Sequence, residues 1–64
     1  MRPNDYLAES QDKDGGYTYY VHIEGILGRF SQFSTPRRLT PDEQITYLGF
    51  YQSLARDRGL IDVQ

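Results

Sequence analysis

The chain has 64 residues, no cysteine, one histidine and a formal net charge of −2. That length makes one small domain spanning residues 1–64, whose core needs very economical packing or a partner subunit, so a homodimer is expected. The composition excludes disulfides and thiolate metal sites, and a single histidine builds no metal cluster, so neither a metal nor another cofactor is expected.

Tyr6 to Gln11 reads as a first strand, defined chiefly by the turn that follows it, because Ala8 and Glu9 are poor strand formers. Gln11-Asp12-Lys13-Asp14-Gly15-Gly16 is a turn cluster in which Asp14-Gly15 supplies positive-φ positions for a tight hairpin. A second strand then runs from Tyr17 to Ile23, the strongest β-forming stretch of the chain. Its two-residue period places Tyr17, Tyr19, Val21 and Ile23 on a core face and Thr18, Tyr20, His22 and Glu24 on the other. After Glu24-Gly25, residues Ile26 to Phe33 read as a third strand. Its alternation is broken, with Ile26 and Phe30 on one face and Leu27 and Phe33 on the other, and a bulge at Gly28 would reconcile the two sets. Ser34-Thr35-Pro36-Arg37-Arg38 is a loop by composition.

Thr40-Pro41-Asp42-Glu43 marks a helix start: a threonine cap, proline at the first helical position and glutamate at the third. Leu39 is placed to pack on Gln44 or Ile45 as a staple. The helix is expected from Pro41 to Arg58, with an apolar stripe of Ile45, Leu48, Tyr51, Leu54 and Ala55 widened by Tyr47 and Phe50. Gly59 is the natural stop, Leu60 can fold back on the last turn, and Ile61-Asp62-Val63-Gln64 is a tail, frayed or tied to a partner. The expected fold class is α+β: a three-stranded antiparallel β-sheet with one C-terminal α-helix packed on one face. The uncovered face, holding Tyr20, His22, Leu27 and Phe33, is apolar and aromatic for a surface, which points to a partner.

Catalytic chemistry finds little purchase. Asp12-Lys13-Asp14-Gly15-Gly16 begins like a calcium loop, but the twelfth position is Ile23 where a bidentate glutamate belongs. His22 has no serine or cysteine beside it in a nucleophile motif. Asp42 and Glu43 are explained by capping, and Asp12 and Asp14 by the turn, so an enzyme is not expected. Charge is segregated: residues 25–38 carry Arg29, Arg37 and Arg38 and no acid, between two acidic segments. Those arginines lie near Phe30 and Phe33, so a nucleic-acid-binding module is the alternative reading, although three arginines in an acidic chain are a thin footprint. The six tyrosines suit an interface, and Tyr20 and Tyr47 are the expected contact tyrosines. No apolar run approaches the ~20 residues that span a bilayer, and Met1-Arg2-Pro3-Asn4-Asp5 opens no signal-peptide core. No membrane is expected as a partner, and the cytoplasm is the expected location.

The stretch Asp12-Lys13-Asp14-Gly15-Gly16-Tyr17-Thr18-Tyr19-Tyr20-Val21, with Gly25, Gly28 and Phe30-Ser31-Gln32, resembles the N-terminal domain of HicB-type antitoxins. The resemblance covers roughly Tyr6 to Leu54 and is close only around Asp14-Gly15-Gly16-Tyr17. Here Ile26-Leu27-Gly28 stands where that family has Leu-Pro-Gly, Gln32-Phe33 stands where a Gln-Gly turn is usual, and no C-terminal DNA-binding segment follows. It implies a non-catalytic domain that sequesters a small RNA-cleaving toxin. A fainter likeness, through Asn4-Asp5-Tyr6 and Tyr19-Tyr20, is to the small dimeric phage inhibitors of uracil-DNA glycosylase, which occupy a DNA-binding groove; Arg37-Arg38 opposes such mimicry. Both imply a protein-binding inhibitor, carried by a phage or mobile element, whose partner is a host enzyme or a toxin. Tyr20, His22, Leu27, Phe33 and Tyr47 are its expected contacts.

Overall fold

The computed structural model describes residues 4–60, and the expected C-terminal tail lies outside them. Three strands and a helix follow one another as β1 (Tyr6–Gln11), β2 (Tyr17–His22), β3 (Ser31–Thr35) and α1 (Pro41–Asp57). The strands form one antiparallel sheet in the order β1-β2-β3, and α1 packs on one of its faces. The fold is therefore α+β, as the element order implies.

The first hairpin closes through Gly15 N–H to the Asp12 carbonyl at 3.1 Å and Asp12 N–H to the Gly16 carbonyl at 2.8 Å. Within this turn only Gly15 has positive φ, at 95°, so the turn is a three-residue loop with glycine at the left-handed position and Asp14 in ordinary backbone space. The Asp14 carboxylate instead accepts the Gly16 amide at 3.1 Å. The register then sets Tyr6 opposite His22, Ala8 opposite Tyr20 and Gln11 opposite Tyr17.

The third strand departs from its sequence reading. Residues 26–30 form a loop, and β3 begins only at Ser31. Two glycines cause the shift: Gly25 at φ 90° and Gly28 at φ 69° turn the chain in a direction that a strand of L-residues does not follow. The Ile26 amide closes back on the Ile23 carbonyl at 3.1 Å, and the chain rejoins the sheet where the Phe30 amide donates to the Val21 carbonyl at 2.7 Å. The later start moves Phe33, which pairs with Tyr19, onto the helix-facing side. It leaves Leu27 in the loop, wholly exposed.

The helix begins as its sequence states. The Thr40 hydroxyl accepts the Glu43 amide and the Glu43 carboxylate accepts the Thr40 amide, a complete capping box. Its end is one residue earlier than expected, with Arg58 as the cap and the Gly59 and Leu60 amides donating to the Arg56 and Ala55 carbonyls. The staple is polar rather than apolar: Leu39 is buried, and the Gln44 amide nitrogen donates to its carbonyl at 3.3 Å.

Val21, Ile23, Leu48 and Ala55 form the buried centre, with Leu7, Ile26, Phe30, Phe33 and Tyr51 packed against it. Burial of Val21, Ile23 and Leu48 contributes roughly 1.5–3 kcal/mol each. Ile45 does not join them and stays 57% exposed. It sits on the β1-ward flank of α1, where Asp5, Tyr6, Leu7, Pro41, Gln44 and Leu48 complete an open groove of about 290 Å³.

Two polar ties cross this core. The buried Asp5 carboxylate accepts the Glu24 amide at 2.7 Å and the Gln52 side-chain amide at 2.7 Å, joining the entry to β1, the β2–β3 loop and the helix. The fully buried Tyr19 donates its hydroxyl to Glu9 at 2.9 Å and accepts the Leu39 amide at 2.9 Å. Burial pushes the Tyr19 phenol above its usual pKa; the Leu39 amide pulls it down and the Glu9 carboxylate adds to the rise.

Candidate docking face

Strand alternation assigns Tyr6, Ala8, Ser10, Thr18, Tyr20, His22, Gln32 and Ser34 to the face away from α1. Two aromatic arrangements occupy it. The Tyr6 and His22 rings stack with centroids 4.5 Å apart and planes 9° apart. One strand over, the Arg29 guanidinium lies 4.7 Å from the Tyr20 ring centroid and donates to the Gln32 side-chain oxygen at 2.7 Å. Thr18 is buried between Asp12, whose carboxylate accepts its hydroxyl at 3.0 Å, and Ser34 at 3.1 Å, so this edge of the face is a closed polar cluster.

The five expected contact residues are therefore not one surface. Tyr20 and His22 share the open face. Phe33 and Tyr47 lie on the other side of the sheet, stacked at 4.5 Å, with Tyr51 stacked on Phe33 at 5.6 Å. Leu27 belongs to neither. Tyr6, 51% exposed beside His22, is a member of the open face that the sequence reading passed over. Counting back from the Gln11–Tyr17 pair places it there. Phe50, 61% exposed, extends the second surface: with Thr46, Tyr47 and Tyr51 it lines a groove of about 330 Å³ on the β3-ward flank of α1.

The basic segment is largely neutralised within the fold. Arg37 makes a two-pronged pair with Glu43 at 3.0 and 2.8 Å. Arg38 meets Glu9 at 3.2 Å and lies over the Tyr17 ring. The Arg37 guanidinium, aided by the Thr40 amide, holds the Glu43 carboxyl down at about 2 from an ordinary value of 4.5, while Glu43 raises Arg37 in turn. The folded-state value lies below the unfolded one, so Glu43 contributes stability above about 4.5 that is lost as the pH falls toward about 2. Thermal melts across that interval are expected to show Glu43→Gln losing less stability on acidification than the parent chain. Parallel curves would remove Glu43 from the acid response.

Among the described residues, no group of three His, Cys, Asp or Glu side chains is arranged to hold a metal ion. Nor is any helix there long and apolar enough to cross a membrane. Compared with known protein families, curated proteins and solved structures, the chain matches none.

Proposed function

We propose that this chain is a small non-enzymatic protein-binding inhibitor that occludes a partner through the open face of its sheet. The observation that carries the reading is the uncovered face itself. It presents Tyr6, Tyr20 and His22 as rigid rings, with Gln32 and Arg29 as polar fittings. Aromatic and arginine side chains are the usual anchors of protein interfaces, because they offer large contact area at low entropic cost. A toxin or a host nucleic-acid enzyme is the partner that the two resemblances imply, and an antitoxin-like or phage-encoded cytoplasmic inhibitor is the corresponding role.

The nucleic-acid alternative draws less support. Two of its three arginines, Arg37 and Arg38, are already paired with Glu43 and Glu9. A phosphate would have to displace those carboxylates before binding.

The test is capture of partners from a nuclease-treated bacterial lysate on the tagged chain and on Tyr20→Ala. One dominant protein is expected on the parent chain, retained at raised salt. Tyr20→Ala is expected to weaken that association by more than about 1 kcal/mol. Equal retention by both would sink the open-face assignment. Nucleic acid recovered only when nuclease is omitted, with binding that falls steeply with salt, would replace the inhibitor reading with the alternative.

A further inference from the structure

The outer edge of β3 borders the second aromatic surface, and its backbone phase follows from the hairpin. In antiparallel pairs, residues that exchange backbone hydrogen bonds alternate with residues that do not. The Asp12 amide bond to the Gly16 carbonyl starts the alternation, so Thr18, Tyr20 and His22 bond toward β1. Tyr17, Tyr19 and Val21 then bond toward β3, at Thr35, Phe33 and Ser31. The amides and carbonyls of Gln32 and Ser34 point outward, and among the described residues no strand pairs with that edge. Between them, the Phe33 side chain projects to the helix side, where Tyr47, Tyr51 and Phe50 continue the apolar surface.

We infer that the β3 edge accepts an extended, acid-flanked segment of a protein partner as a fourth, antiparallel strand. The segment's backbone pairs with Gln32 and Ser34, and its alternate apolar side chains lie over Phe33, Tyr47 and Phe50. Charge selects this occupant. It acts at the start of β3, because Arg37 and Arg38 at the far end are already paired with Glu43 and Glu9. Arg29, four residues before Phe33, has no carboxylate partner among the described residues, and Arg58 lies 5.9 Å from the Phe30 ring centroid at the same end. The inference rests on the reading of the chain as a protein binder; its apolar contacts lie on the helix side of the sheet, while Arg29 reaches the edge from the open face beside Tyr20.

The probe is the synthetic peptide acetyl-Glu-Thr-Val-Ser-Leu-Thr-Val-Ser-Glu-amide, titrated into the isotope-labelled full chain and followed by amide NMR shifts. Saturable shifts are expected at residues 31–35, at Tyr47 and at Phe50, with Tyr6 and Ala8 unmoved. Exchanging both terminal glutamates for lysine is expected to weaken binding by about tenfold, the effect of ~1.4 kcal/mol. Ser34→Pro removes one outward amide without removing a backbone bond to β2, although it gives up the hydroxyl contact with Thr18, and is expected to abolish binding. Should that variant lose the dispersed spectrum of the folded chain, Phe50→Ala, altered at an exposed position, is expected to weaken binding several-fold. No saturable binding up to about 1 mM overturns the inference. So does equal affinity for the lysine-ended peptide, unchanged binding to folded Ser34→Pro or to Phe50→Ala, or concentration-dependent dimerisation that moves the same amides. Failure here with capture intact removes only the strand-addition site, whereas loss of capture by Tyr20→Ala with peptide binding intact keeps the two surfaces separate.

Discussion

Replacing Asp5 with alanine is expected to lower stability by about 3 kcal/mol, the combined cost of two lost bonds to a carboxylate and two donors left behind. A chain of this length has roughly 3–10 kcal/mol in total, so the variant is expected to melt roughly 10–20 °C lower. The size follows from geometry. Asp5 is buried, and its two oxygens serve different elements, the Glu24 amide and the Gln52 side chain. Asp5→Asn is expected to recover part of the loss. Its carbonyl can still take the Glu24 amide, and the Gln52 side chain can turn to accept from the new NH₂ group. Calorimetry on the three chains checks this, and a shift below about 3 °C for Asp5→Ala would show that the carboxylate carries little.

Tyr19→Phe is expected to cost about 2 kcal/mol while leaving the ring packing unchanged. The hydroxyl receives the Leu39 amide and donates to Glu9. Without it, a buried amide just ahead of the helix cap loses its only partner among the described residues, and Glu9 keeps only Arg38 among them. Chemical denaturation with an unchanged m-value and a lowered midpoint is the expected signature. An unaltered midpoint would mean that the Leu39 amide finds another acceptor.

The features legible in the sequence are those whose causes lie within a few residues. Thr40 and Glu43 cap each other across three positions, so the helix start was readable in full. The hairpin was readable because Gly15 alone supplies the required left-handed turn. The third strand was not. Its apolar residues invited a start at Ile26, but Gly25 and Gly28 redirect the chain first, and the later start reversed the face assigned to Phe33. Of the candidate site, Tyr20 and His22 follow from the period of β2, whereas the stack of Tyr6 on His22 needs the hairpin register as well. The neutralisation of Arg37 and Arg38 could not be read, because it depends on where the β3–α1 loop brings them relative to Glu43 and Glu9. Asp5 was equally opaque, its partners lying 19 and 47 residues away.

The order of assembly follows from the same topology. β1, β2 and β3 each pair with a neighbour in the chain, so the sheet forms without closing a long loop, and folding is expected to be fast for a β-rich chain. The bond from Asp5 to Gln52 is different, since it ties positions 47 residues apart. If that contact forms after the rate-limiting step, Asp5→Ala is expected to speed unfolding while hardly altering the folding rate, and a slowed folding rate would place it in the nucleus instead. Under the first outcome the tie works as a latch, and what it supplies is lifetime, measured as the waiting time before the helix lifts away from the sheet.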